Sequence, residues 1–377
     1  MKSASVVYQK GQWQKLPDDF PNPTIAILFA DRILMEQSDM IASFRRSFPN
    51  CKLISCSSAG EVLGSTVTDS SAHATFVHFE KTDVQFATGN INNFKNSVEL
   101  GKKLASQLPS EGLKYVMVVS DGNIINGDAL VDGIQTVIDK QIIVSGGLAG
   151  DAGRFQKTLV GLDDDVKEGN VVLMGLYGSH IHISTGVKGG WDQFGPERVI
   201  TKSKGSVLNE IDGSNALELY KKYLGKYAEE LPASALLFPM SVRMEEDDSY
   251  VVRTILSIDD NNGSMKFAGT MPEGSKVRFM KSNVDRLINA ASDAATFAME
   301  GMGQHEASLA MIVSCVGRKL VLSDRIEEEV EAVAEKLPAS ATITGFFSYG
   351  EVAPHKDFEG SQLHNQTITI TLFSESV

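Results

Sequence analysis

A chain of 377 residues, 42% apolar and 22% charged, carries enough apolar surface for more than one packed core. Its 35 basic and 48 acidic residues give a formal net charge of -13, which opposes broad phosphate contact and excludes nucleic acid as a main partner. No apolar run reaches the roughly 18 to 20 residues that span a bilayer, and Met1 to Leu16 is too polar for a signal peptide, so a cytoplasmic protein with no membrane partner is expected. Cys51, Cys56 and Cys315 make neither a disulfide framework nor a zinc pair and read as reduced thiols.

Thr24 to Ala30 is a continuous apolar run between Pro23 and Asp31. That profile is a strand buried on both faces, and it predicts a parallel sheet covered by helices. An amphipathic helix over Met40 to Phe48 stops at Pro49, and the run Lys52 to Ser55 then feeds the turn Ser58-Ala59-Gly60-Glu61-Val62. Strands follow at Ala74 to Phe79 and Val84 to Ala87, with a helix from Val98 to Gln107. Tyr115 to Ser120, a helix over Asp128 to Asp139 and Gln141 to Ser145 form a further β-α-β unit that runs into Gly146-Gly147-Leu148-Ala149-Gly150-Asp151. Val171 to Tyr177 and His180 to Val187 are expected to pair as a hairpin around Gly178-Ser179.

From Ile200 to Val207 the chain turns polar, ahead of Asp212-Gly213-Ser214 and a helix over Asn215 to Tyr223 that Gly225 stops. A boundary between residues 195 and 214 gives two domains, residues 20–200 and 201–377. The second half opens as an antiparallel meander of Ala235 to Met240, Tyr250 to Ser257, Ser264 to Ala268 and Lys276 to Met280, followed by a helix over Asn283 to Met299. The opening unit then recurs. Leu309 to Cys315, a helix over Glu327 to Leu337 ending at Pro338, and Ala341 to Thr344 lead into Gly345 to Val352, so Ser348, Gly350 and Glu351 match Ser58, Gly60 and Glu61. In Leu363 to Phe373 threonines alternate with apolar residues, the mark of a half-exposed strand. The fold class is α/β: two domains built from repeated β-α-β units, with mixed sheets covered by helices.

Several of these segments carry a family resemblance. Cys56 to Val62, Gly146 to Asp151, Gly190-Trp191 and Asp212 to Tyr220 resemble the N-terminal FIST domain and its junction with the next domain. Val251 to Ile255, Ser314 to Arg318, Gly345 to Pro354 and Leu363 to Thr367 resemble the C-terminal FIST domain. The resemblance implies a sensory module of signal transduction rather than an enzyme, similar to the haem-binding nitric-oxide sensors of that family that act on histidine kinases. Its alternative implication is a haem-free receptor for an amino acid or another small metabolite. No stretch of the sequence reads as an output domain, so the implied partner is a separate histidine kinase or cyclic-dinucleotide enzyme.

A zwitterionic ligand needs a cation or amides for its carboxylate and an acid for its ammonium. Arg253, Arg318, Tyr349, Glu351 and Asn365 supply those groups at strand ends, where ligands collect in open α/β sheets. The competing reading pairs Arg318 with Glu351 inside the fold and leaves Asn365 to satisfy backbone groups. Haem b would need an axial donor, and His355 and His364, close to the Gly345 turn, have the best context. His73, His78, His180 and His182 sit in strand-like runs, His305 stands alone in a loop, and no CxxCH is present, so haem would be held without covalent attachment. The glycines at 146, 147 and 150 either present amides to an anion or make a tight turn whose Asp151 caps neighbouring amides. Cys56 and Cys315 read as buried apolar filler. No catalytic or metal-ligating residue is assigned; a hydrolase using Ser348 or Cys315 would lack the G-x-S-x-G elbow. Gly350 and Glu351 recur in both turns and so serve the fold. Tyr349 replaces Ala59, and that difference is where function is expected.

Overall fold

The computed structural model describes residues 1–231, 233–243, 250–354 and 360–376. Its core is a mixed α/β arrangement in which one five-stranded unit occurs three times. The first unit comprises Lys2–Gln9, Ile25–Ala30, Lys52–Ser57, Glu61–Leu63 and Ala72–His78. Asp83–Asn90, Leu113–Ser120, Ile143–Leu148, Val160–Leu162 and Asn170–Tyr177 make the second, and Ile181–Lys188, Leu309–Cys315, Thr342–Ser348, Gly350–Pro354 and Ile368–Glu375 the third. In each, the second and third strands run parallel through a helical crossover, and the fifth returns antiparallel beside the second.

The fourth strand of each unit leaves for a neighbouring sheet. Glu61–Leu63 pairs with Thr342–Ser348, Gly350–Pro354 pairs with Ile143–Leu148, and Val160–Leu162 pairs with Lys52–Ser57. This closes a cycle, so three sheets lock around one another. Between them lies a shared apolar core in which Phe29, Met117, Met174, Met311 and Phe346 meet. Helices cover the outer faces, Met40–Ser47 on the first sheet, Ser97–Ala105 and Gly127–Gln135 on the second, Val284–Met302 and Ile326–Ala334 on the third.

Residues 192–281 are threaded into the third unit between its first strand and the helix Val284–Met302, and they form a separate antiparallel sheet. Its two edge strands, Val251–Arg253 and Ile255–Asp259, are consecutive in sequence, so the sheet curls into an open barrel around Tyr220, Phe267 and Phe279.

Four expectations are corrected. Asn170–Tyr177 and Ile181–Lys188 do not form a hairpin: the former is already paired on both edges, by Leu113–Ser120 and Asp83–Asn90, and the latter pairs with Ile368–Glu375. Tyr250 to Ser257 is not one strand but is split at Thr254 between the two edges of the curled sheet, and Ala235 precedes rather than joins the strand Met240–Arg243. The last strand is buried on both faces. Ile368, Ile370 and Leu372 pack under the helices, while the Thr371 hydroxyl meets the Ser145 hydroxyl at 2.8 Å on the inner side, so the alternation separates two interiors.

Candidate functional site

The three turns that follow the crossover strands meet at the carboxyl ends of those strands. Their backbones bond in a ring: the Ala59 amide donates to the Phe347 carbonyl at 2.8 Å, the Gly150 amide to Ser57 at 2.9 Å, and the Tyr349 amide to Leu148 at 3.1 Å. Such close approach demands glycine at Gly150, where a Cβ would stand 2.6 Å from the Ala59 nitrogen. The Gly150 amide is spent on this ring and Asp151 accepts from the amides of Gln156 and Lys157, so the glycine-rich segment is a capped turn.

Each turn carries a buried acid, and the three differ in their partners. Glu61 is held by the hydroxyls of Ser58 and Ser71, and burial pushes its carboxyl up to about 7. Glu351 has the matching partners, the Ser348 hydroxyl at 2.6 Å and the Thr367 hydroxyl at 2.9 Å, and burial pushes it up to about 8. For Asp151 burial works the same way, yet the hydrogen bonds from Arg32 at 2.9 Å and Arg154 at 2.6 Å outweigh it and hold the carboxyl below its ordinary value.

Above the ring a cleft of about 550 Å³ separates the core from the curled sheet. The core contributes the loop Gly122 to Gly127, Leu148, Phe155, Gln156 and Tyr349; the curled sheet contributes Ser206, Leu256, Ser257 and Lys266 to Ala268. Tyr349 stacks on Phe155, ring centroids 4.6 Å apart, while its hydroxyl donates to the Ala152 carbonyl at 3.1 Å and accepts from the Phe155 amide at 3.2 Å. Phe155 sits at φ 52°, a conformation that bulky residues adopt at a cost of about 1–3 kcal/mol. A smaller cavity of about 310 Å³ lies alongside, walled by Asp128, Asp132, Arg253, Thr270 and Leu363.

The residues singled out in the sequence are dispersed around this geometry. Tyr349 lines the cleft. Arg253 lines the smaller cavity with its guanidinium on Asp128 at 3.0 Å and on the Leu363 carbonyl at 3.1 Å. Arg318 is fully buried; it pairs with Glu329 at 2.7 Å rather than with Glu351, and it ties down the carbonyls of Gly189 and Leu287. Glu351 faces the interior, and Asn365 is buried with its Nδ2 on the His364 carbonyl at 3.0 Å. His364 is buried with Nε2 3.1 Å from the Ala353 carbonyl, and His355 lies outside the described residues. Among the described residues no group of three or more metal-ligating side chains converges, and no helix is long and apolar enough to cross a membrane. Sequence reasoning missed Ile124, Phe155, Leu256, Lys266 and the hydroxyls around them. Two isoleucines inside the otherwise polar turn Gly122 to Gly127 were the one available signal.

A cleft of this size, walled by two lobes and offering both apolar surface and hydrogen-bonding groups, has the form of a small-molecule site. The chain belongs to the FIST family: residues 24–214 match the FIST N domain and residues 216–354 the FIST C domain. FIST domains are sensor domains of signal transduction. The sequence is also similar to uncharacterized protein MJ1623 of Methanocaldococcus jannaschii, 22% identical over 293 residues that cover 67% of this chain and 55% of that protein. The crystal structure of cyanuric acid hydrolase from A. caulinodans aligns over 94% of this chain and 91% of its own, with 9% identity and a TM-score of 0.34.

Proposed function

We propose that this protein senses a small molecule bound, without haem, in the cleft between the three-sheet core and the curled sheet, and passes the signal to a separate histidine kinase or cyclic-dinucleotide enzyme. One observation carries the reading: a strained Phe155 is stacked on Tyr349 at the cleft wall, the position where the two copies of the Ser-x-Gly-Glu-Val turn differ. A ligand there would touch both lobes at once, so its binding energy would favour one lobe arrangement over others and change the surface that a partner meets.

The nitric-oxide reading requires an iron ligand. His364 would have to give up the Ala353 carbonyl to serve, and no histidine lines either cavity described above. The cleft, by contrast, offers aromatic, apolar and hydrogen-bonding groups to a ligand that needs no iron, which is what supports this reading. Purified from haem-supplemented cells, the protein is expected to be colourless and to melt higher with its metabolite, gaining about 2.7 kcal/mol at a hundredfold excess over Kd, an effect lost in Tyr349→Ala. A Soret band that shifts with nitric oxide and disappears in His355→Ala or His364→Ala would overturn this in favour of haem.

A further inference from the structure

Three features of the cleft, independent of the family, bear on what it holds. The first is charge. Among the described residues Lys266 is the one charged side chain in the lining, and no ion pair or hydrogen bond engages its ammonium, although the chain as a whole is at -13. Other lysines near acids are paired, as Lys157 is with Glu36 at 2.7 Å and Lys221 with Asp260 at 2.8 Å. Lys266 stands directly across the strand pair from Ser257, so a cation and a hydroxyl donor share one face of the sheet. No carboxylate lines the cleft, so a bound ammonium would have no partner there.

The second is apolar exposure. Eight large apolar side chains are exposed among the described residues, and three of them, Ile124 at 51%, Leu256 at 44% and Phe155 at 40%, line this one cleft. Scattered exposed apolar residues are ordinary; convergence of three on one concavity marks a surface that is covered when the site is filled. The Phe155 ring, supported from behind by Tyr349 at an interplanar angle of 17°, offers a flat face. The third feature is Asn123, whose Nδ2 is buried at the cleft without a hydrogen-bond partner among the described residues, a donor waiting for an acceptor.

We infer that the cleft takes a flat, apolar monocarboxylate: the carboxylate on Lys266 and Ser257, the planar body on Phe155 between Ile124 and Leu256, and an acceptor atom at the far end on Asn123. This rests on the proposed sensor reading and names its ligand class. It disfavours a free amino acid, since the ammonium would be desolvated with no acid to receive it.

The test is calorimetry on the full chain with phenylacetate, indole-3-acetate and 4-hydroxybenzoate, set against benzylamine, L-phenylalanine, benzyl alcohol and acetate. At least one aromatic carboxylate is expected to bind about tenfold or more tighter than the amine, the alcohol, the amino acid and acetate. Lys266→Gln is expected to erase the preference for carboxylate over alcohol, and Phe155→Ala the preference for phenylacetate over acetate. Equal binding of benzylamine or L-phenylalanine, a carboxylate preference that survives Lys266→Gln, or no binding by any of the three aromatic carboxylates overturns the inference. A different failure belongs to the sensor reading: a probe of any charge that binds tightly and is indifferent to both Phe155→Ala and Tyr349→Ala is held elsewhere. Circular dichroism and melting of each variant confirm that it folds.

Discussion

Glu61, Asp151 and Glu351 occupy equivalent turns, yet only Asp151 takes hydrogen bonds from arginines, so burial raises the carboxyls of Glu61 and Glu351 while that of Asp151 is held below its ordinary value. The linkage has a definite sign. The Glu351 carboxyl keeps its proton in the fold to about pH 8, whereas in the unfolded chain it ionises near 4.5. Below 4.5 both states carry the proton and nothing is lost; between 4.5 and 8 unfolding releases a proton, so stability falls as pH rises, and above 8 the loss is complete. Each pKa unit is worth about 1.4 kcal/mol, so the Glu351 share alone reaches a few kcal/mol, and Glu61 adds a smaller share that ends near pH 7. Glu351→Gln keeps the shape, can donate to Ser348 and accept from Thr367, and has no charge to gain. Its melting temperature relative to the parent is therefore expected to climb from pH 5 to about 8 and to level off above that; a gap that stays constant from pH 5 to 8 would show that Glu351 is ionised throughout. At Tyr349 the expectation is different in kind. Tyr349→Phe removes the hydroxyl that joins Ala152 to Phe155 and should cost about 0.5–1.5 kcal/mol of stability, while loosening the Phe155 ring enough to weaken ligand binding more than it weakens the fold. Titration calorimetry beside thermal melting separates the two effects.

Elements inherit the same contrast between what a segment's own pattern encodes and what its neighbours decide. The buried parallel strands were legible because Ile25–Ala30 is apolar at every position, and the repeated turn was legible because Gly60 and Glu61 recur as Gly350 and Glu351. The exchange of fourth strands was not. Glu61–Leu63 is three residues long, and no periodicity in so short a piece tells which sheet will take its edge. The final strand misled for a related reason: threonines that alternate with isoleucines look half solvated, but here their hydroxyls meet Ser145 and Glu351 in a second interior. Of the site, Tyr349 could be found by comparing copies, whereas Lys266, on a surface strand, looks like any solvated lysine until the core is placed opposite it. Interlocking also leaves little room at the strands themselves. Gly146 lies at φ 144°, and a Cβ there would fall 1.9 Å from the Val118 carbonyl oxygen. Gly146→Ala is expected to cost on the order of 3 kcal/mol or more by chemical denaturation, against a change within about 0.5 kcal/mol for Gly153→Ala, whose Cβ would meet nothing within 4 Å.

For the molecule as a whole the decisive contact is the one that holds the curled sheet against the core. Residues 192–281 enter and leave the core through the neighbouring segments at Trp191 and Ser282, where the Trp191 indole donates to the Gln366 carbonyl at 2.8 Å and the Ser282 hydroxyl to Gly190 at 2.6 Å. In the wall of the smaller cavity, far along the chain from that junction, Asp128 bridges the lobes by accepting from the Thr270 amide at 2.7 Å and from Arg253 at 3.0 Å. Asp128 lies in the first turn of the helix Gly127–Gln135, immediately after the loop that lines the cleft, so a ligand that displaced that loop would act on the acceptor that pins the curled sheet. A pair this sheltered costs more to break than an exposed one, because the partner left behind keeps its charge with less water to solvate it. Asp128→Asn is accordingly expected to speed amide hydrogen exchange over residues 264–270 by about tenfold or more without ligand, with much smaller effect on the strands Leu113–Ser120 and Leu309–Cys315. A double-mutant cycle with Arg253→Leu should give a coupling of about 1–3 kcal/mol. Exchange that is unchanged in Asp128→Asn, together with a coupling near zero, would mean that Asp128 does not hold the lobes together, which other contacts such as Arg253 on the Leu363 carbonyl and Gln366 on the Leu236 carbonyl then do, and that ligand binding reaches the curled sheet by another route.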